Sequence, residues 1–178
     1  NSDEALTIDF TGTTSARLLN NKAHSGDYQW YSNRGDDSNA RLTRTVDLKR
    51  VEVATLNYWV WYDIEADWDY AYVEVSTNGG TSWQILEAPH SRTTNPTGNA
   101  YGPGYTGKSD GWVKERVDLS AFAGQEILLR FEYVTDDATN GPGFALDDVE
   151  IPEIGFSDDM ETLDEGWERA PPRSPLSN

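Results

Sequence analysis

Apolar and polar positions alternate along most of this chain with the two-residue period of strands, and turn residues punctuate the runs. Ala5 to Phe10 alternates into a first strand, and Arg41-Leu42-Thr43-Arg44-Thr45-Val46-Asp47-Leu48 alternates again. Val53 to Tyr62 is long, aromatic and central in character. Trp68 to Ser76 and Ser82 to Leu86 flank Asn78-Gly79-Gly80, residues that accept positive φ cheaply and so signal a hairpin. Trp112 to Leu119, Glu126 to Val134 and Gly143 to Ile151 follow. Such a series without a helical period predicts an all-β fold, a two-sheet antiparallel β-sandwich of jelly-roll type.

Two stretches break the pattern. Lys22 to Asn39 is irregular and carries Gly35-Asp36-Asp37, while Pro89 to Gly111 is rich in Asn, Gly, Thr and Pro. A loop as long as the second is expected to be functional or ordered by an ion. Beyond Pro152 the alternation lapses into the acidic Ser157-Asp158-Asp159-Met160-Glu161 and then Pro171-Pro172-Arg173-Ser174-Pro175. The expectation is a sandwich module over residues 1–152. Residues 153–178 then form an irregular C-terminal tail, a linker and the truncated start of a following module.

Composition narrows the function classes. The 178 residues have the length of one domain, and seven Trp and nine Tyr beside 15 Gly suit a secreted all-β module. The absence of cysteine excludes disulfides and thiolate metal sites. A net charge of −17, from 31 acidic against 14 basic residues, repels nucleic acid and anionic membranes. No apolar run reaches the ~18 residues of a membrane-spanning helix. Asn1-Ser2-Asp3-Glu4 is no signal peptide, and a start without Met reads as an excised or processed piece. The expected partners are neighbouring domains of a parent chain, and then an extracellular protein or glycan.

The first functional suspect is the acidic knot Asp63, Glu65, Asp67 and Asp69, four carboxylates in seven positions. Neighbouring carboxylates repel by about 1 kcal/mol per pair even in water, so such a knot is either fully solvated or neutralised by a cation. Calcium takes about six to eight oxygen ligands, more than consecutive side chains supply. Ligands are therefore expected to converge from separate loops, with Asp36 or Asp37 and the pair Asp147 and Asp148 joining the knot. Adjacent strand residues face opposite ways, so Asp147 and Asp148 are not expected to meet at one ion. The spacing is not that of an EF-hand.

Other motifs weigh less. Ser76-Thr77-Asn78-Gly79-Gly80-Thr81-Ser82-Trp83 approaches the Asp-box hairpin of sialidases with Asn for Asp, and its single occurrence assigns it to turn stabilisation. Trp30, Tyr31, Trp59, Trp61, Trp68, Tyr70, Tyr101 and Tyr105 supply aromatic faces for sugar, although strand-borne rings usually serve the core. Tyr101 and Tyr105, inside the long loop, are the two expected to face a ligand. Arg34-Gly35-Asp36 is a triplet that chance supplies often, and an acidic chain always offers carboxylate pairs that mimic a glycosidase.

Spaced motifs give the chain a family likeness. Arg34-Gly35-Asp36-Asp37, Leu42-Thr43-Arg44, Trp61-Tyr62-Asp63-Ile64-Glu65 and Trp68 to Ser76 are similar to the non-catalytic C-terminal region of immune inhibitor A-type secreted metallopeptidases. So are Gly111-Trp112, Val117-Asp118-Leu119-Ser120, Ala123-Gly124-Gln125, Leu129-Arg130-Phe131 and Asn140 to Val149. Ala145-Leu146-Asp147-Asp148-Val149 also resembles the last strand of MAM domains and galactose-binding-like jelly rolls, which implies a calcium ion pinning the sandwich termini. Phe156 to Trp167 resembles the opening of the segment that follows this module. The zinc signature His-Glu-x-x-His is absent, because His24 and His90 are the only histidines. The resemblance therefore implies a secreted, calcium-stabilised accessory module with no catalytic residues, in a parent whose peptidase domain lies elsewhere. A carbohydrate-binding module of an extracellular enzyme is the alternative.

Overall fold

Strands form where the alternation is strongest. The computed structural model describes Leu19, residues 21–162 and residues 166–170. Within them run β1 (Trp30–Tyr31), β2 (Asn39–Asp47), β3 (Thr55–Asp63), β4 (Tyr70–Ser76) and β5 (Gln84–Ile85). They continue with β6 (Val113–Asp118), β7 (Glu126–Val134), β8 (Gly143–Ile151), β9 (Phe156–Asp158) and β10 (Trp167–Ala170). Two single turns of 3₁₀ helix, Ser120–Phe122 and Pro152–Ile154, are the only helical pieces among the described residues. One antiparallel sheet has the order β1-β8-β3-β6 with β9 also on β8, and the other has the order β10-β2-β7-β4-β5. The expected strand at Ala5 to Phe10 lies outside the described residues.

The two inner faces make one core. Strand β3 sends Leu56, Tyr58, Val60 and Tyr62 inward, against Ala71, Val73 and Val75 of β4 and Leu129, Phe131 and Tyr133 of β7. Each such burial is worth about 1.5–3 kcal/mol before entropy is counted, so this alternation dominates the choice of faces. Trp59 and Trp61 point to the other side of the sheet, where Trp61 packs with Leu19 and Ala145 in a small second cluster.

Two expectations need correction. Residues 153–162 and 166–170 do not read as a linker. Gly155, at φ +66°, turns the chain so that β9 pairs with β8, and β10 pairs with the edge of β2 from Trp167↔Arg44 to Ala170↔Arg41. Trp167 lies against the main core, 6.1 Å from Phe131, and its indole N–H donates to Asp158 at 2.7 Å. The physical cause is the open sheet edges, whose unpaired amides and carbonyls short strands can satisfy despite weak alternation. The proline run at 171–175 lies outside the described residues.

Tyr105 is the second correction, for it is a core residue and not a surface one. It is 1% exposed and its hydroxyl lies 2.8 Å from that of Tyr58. The long loop is tied down there: Tyr105 and Ala71 exchange backbone hydrogen bonds at 3.0 and 2.8 Å, as do Arg92 and Gly104 at 2.7 and 3.0 Å. Gly104 permits the approach, because a Cβ there would stand 2.7 Å from the Tyr72 ring.

Candidate functional site

Strand β3 ends at Asp63, and the chain makes one turn before β4 begins at Tyr70, with the Asp69 N–H donating to the Glu65 carbonyl at 3.2 Å. The turn brings Glu65 and Asp69 together. Because Tyr70 of β4 sits opposite Val134 of β7, Asp69 also falls beside Asp136, just past the end of β7. Carboxylate oxygens of Glu65, Asp69 and Asp136 all lie within 4.8 Å of one another. Asp69 is fully buried, with Oδ1 accepting the Asp136 N–H at 3.1 Å and Oδ2 accepting the Tyr133 hydroxyl at 3.1 Å. Burial outweighs those two hydrogen bonds and, with the charges of Asp136 and Glu65, pushes the Asp69 carboxyl up to about 6. Desolvation also raises Glu65, and the charges that act on it, Asp136 and Asp36, are themselves carboxylates. Three hard oxygen donors that repel one another fit a calcium ion, which would neutralise them and lock the two loops together.

The other candidates are dispersed. Asp63 is ion-paired with Lys108, Oδ2 to Nζ 2.7 Å. Asp67, at φ +67°, is held through its backbone: its N–H donates to Thr106 Oγ1 at 2.7 Å and its carbonyl accepts the Thr97 hydroxyl. Asp36 is exposed and Oδ1 accepts the Asn140 amide at 2.5 Å, while the exposed Asp37 donates its backbone N–H to the Asp136 carbonyl at 2.6 Å. Of the eight carboxylates expected to bind metal, only Glu65 and Asp69 meet in one cluster, with Asp36 near it. Asp136 escaped the sequence reading because Asp136-Asp137 looks like an ordinary acidic turn. The antiparallel register of β4 on β7 was the signal that could have found it.

Asp147 and Asp148 gather at a different place. Between Asn57↔Glu150 and Trp59↔Asp147, β8 has one residue more than β3, a bulge in which Asp148 takes φ +46°. The bulge cancels the alternation, so both side chains reach the segment His24-Ser25, contrary to the expectation of opposite faces. Asp147 is fully buried and accepts three backbone N–H groups, from His24 at 2.8 Å, Ser25 at 3.4 Å and Asp148 at 2.9 Å. Asp148 takes the His24 ring at 2.5 Å and the Ser25 hydroxyl at 2.7 Å. Burial first, then the Asp148 charge, sets against those N–H donors and brings Asp147 to about 6. His24 also stacks on Trp59 at 3.8 Å between ring centroids. This is a clasp for the N-terminal segment, built from protein donors.

The hairpin expected at Asn78 is a turn device. Asn78 Oδ1 accepts the Ser82 N–H at 2.9 Å, the Trp83 indole donates to the Gly80 carbonyl at 3.1 Å, and Arg130 lies 3.8 Å over the Trp83 ring. The second histidine, His90, lies beside buried Glu115, Nδ1 to Oε1 2.8 Å.

A family model described as immune inhibitor A-like, MAM domain, matches residues 8–170. The chain belongs to that family. The MAM domain is 36% identical over 130 residues to the pre-pro-metalloprotease PrtV of Vibrio cholerae, which covers 73% of the chain and 14% of that protein. It is 31% identical over 140 residues to immune inhibitor A of Bacillus thuringiensis subsp. alesti, covering 76% of the chain and 19% of that protein. Bacillopeptidase F of Bacillus subtilis is 31% identical over 94 residues, 53% of the chain and 5% of that protein. The chain thus spans under a fifth of the length of these relatives. Among the described residues no helix is long and apolar enough to cross a membrane.

Proposed function

We propose that this MAM domain is a non-catalytic, calcium-stabilised accessory module of a secreted, multidomain metallopeptidase, and that it supports neighbouring domains or positions substrate. The convergence of Glu65, Asp69 and Asp136 from two loops within 4.8 Å carries the calcium reading. Two relatives bearing metalloprotease and immune inhibitor names, each far longer than the matched stretch, support the accessory role. Both histidines are engaged with carboxylates in separate parts of the sandwich, His24 with Asp148 and His90 with Glu115, which suits a structural use of each.

The test is thermal unfolding in about millimolar calcium, the range typical of extracellular modules, and again in excess chelator. A higher melting temperature in calcium is expected, lost when Asp69 and Asp136 are changed together to Asn. Identical melting curves would return the cluster to a solvated loop end. Casein hydrolysis by the same preparation is expected to be nil. Zinc-dependent cleavage abolished by a point mutation within the chain would overturn the accessory reading.

A further inference from the structure

Next to the carboxylates, on the outer face of β4 and β7, the turn before β4 and the loop around Asn99 enclose a cavity of about 230 Å³. Its walls are aromatic. Trp68 and Tyr101 are 45% and 73% exposed, two of the few large apolar side chains left at the surface among the described residues. Tyr101 is held in place. The Tyr101 N–H donates to the Tyr72 hydroxyl at 3.1 Å, its ring centroid lies 6.0 Å from that of Tyr72, and Tyr72 is nearly parallel to Tyr70 at 6.1 Å. Tyr70, 1% exposed, also lines the cavity, and its hydroxyl has no hydrogen-bond partner among the described residues. Leaving a buried hydroxyl unsatisfied costs about 1–3 kcal/mol, which a ligand offering an acceptor would recover. Asn99 and Asp136 add an amide and a carboxylate to the lining.

An aromatic wall with a few convergent polar groups matches a sugar ring, whose C–H face packs on aromatic carbon while its hydroxyls at the edge seek donors and acceptors. The volume lies below the ~300 Å³ lower limit of drug-sized sites, so it fits one ring at a time. A net charge of −17 overall repels anionic sugars. We infer that this cavity is a binding site for a neutral pyranose unit of a glycan, stacked against Trp68 and Tyr101 and hydrogen-bonded by Tyr70, Asn99 and Asp136. Free polysaccharide and protein-linked glycan offer the same ring.

The full chain is applied to an array of cellohexaose, chitohexaose, mannohexaose and high-mannose N-glycans, with sialylated and uronate glycans alongside. The strongest glycan is then titrated by calorimetry. Binding confined to neutral glycans is expected, with hexaoses reporting a polysaccharide source and N-glycans a protein-linked one. Trp68→Ala and Tyr101→Ala should each weaken binding by about tenfold or more, as lost stacking implies. Tyr70→Phe should weaken it several-fold without lowering the melting temperature, because it removes a hydroxyl that no group among the described residues uses. An array without a neutral binder overturns the inference, and so does affinity indifferent to both aromatic substitutions. Loss of the calcium effect alone sinks the metal reading and leaves this one standing, since stacking on Trp68 and Tyr101 needs no ion.

Discussion

Asp69 and Asp147 are both fully buried and both pushed up to about 6, yet they sit in opposite electrostatic settings. Asp147 has three backbone N–H groups aimed at it, and its one close like charge, Asp148, is itself engaged by His24 and Ser25. Asp69 has one backbone N–H and one hydroxyl, and it shares its surroundings with Glu65 and Asp136. An equal pKa thus conceals donor-rich balance at one end and like-charge crowding at the other. The clasp draws its donors from protein groups, whereas the loop cluster is the one that the proposed calcium ion would neutralise. Raised carboxyl pKa values alone do not mark a metal site; the count of N–H donors separates the two.

The largest expected effect tests the clasp. Asp147→Ala leaves the His24, Ser25 and Asp148 amides without their acceptor in a buried setting, at about 1–3 kcal/mol for each group that stays dry. Partial access of water to the segment brings the expected total to about 3 kcal/mol, a fall in melting temperature of roughly 10 °C for a chain of this size. The fall should be equal in calcium and in chelator. A loss seen only in calcium would move the ion to the last strand and invert the comparison.

Calcium itself comes next. At a free concentration about a hundred times its dissociation constant, mass action adds about 2.7 kcal/mol. Asp69→Asn or Asp136→Asn should remove most of that increment, because each deletes one of the three charges. Asp118→Ala, at the end of β6 where the side chain caps the Ser120 N–H, should leave it intact. Melting curves of the three variants with and without calcium decide the matter, and an increment that survives both Asn substitutions would dissolve the loop site.

The third effect is a pH slope at the clasp, measured in chelator. The carboxyl of Asp147 rises to about 6 in the folded chain from an ordinary value of 3.8, with Asp148 and His24 the titratable groups facing it. Between those limits the folded state holds more protons than the unfolded state, so stability is highest below pH 4 and falls as pH rises to 6. The contribution is of order 3 kcal/mol. Asp147→Asn should flatten that segment relative to the parent chain. Denaturant midpoints from pH 3.5 to 7 test this, and an unchanged difference curve would show that the donors, not burial, govern Asp147.

Much of the sandwich was legible because period-two alternation is imposed by burial, residue by residue, in Leu56, Tyr58, Val60 and Tyr62 as in Ala71, Val73 and Val75. What escaped was set by pairing rather than pattern. Strands β9 and β10 are short and form on edges that other strands leave open, and Tyr105 is buried by a loop whose sequence looks solvent-facing. The candidate site was half legible for the same reason. Glu65 and Asp69 meet through a local turn, which proximity in sequence suggests. Asp136 arrives by register across β4 and β7, and the joint orientation of Asp147 and Asp148 depends on one inserted residue in β8.

The smallest effect separates the knot from the cluster it borders. Asp63 belongs to the same acidic run as Glu65 and Asp69, but its carboxylate is 28% exposed and answered by Lys108, itself 68% exposed. An ion pair so open to water contributes about 0.2–1 kcal/mol and weakens with salt. Asp63→Asn should therefore lower the melting temperature by about three degrees at most, with the difference shrinking in molar salt and the calcium increment unchanged. A calcium increment that collapses in Asp63→Asn would mean that the ion draws Asp63 away from Lys108. The site would then be the whole acidic run, and the line between a cation-seeking cluster and a neighbouring ion pair would have to be redrawn.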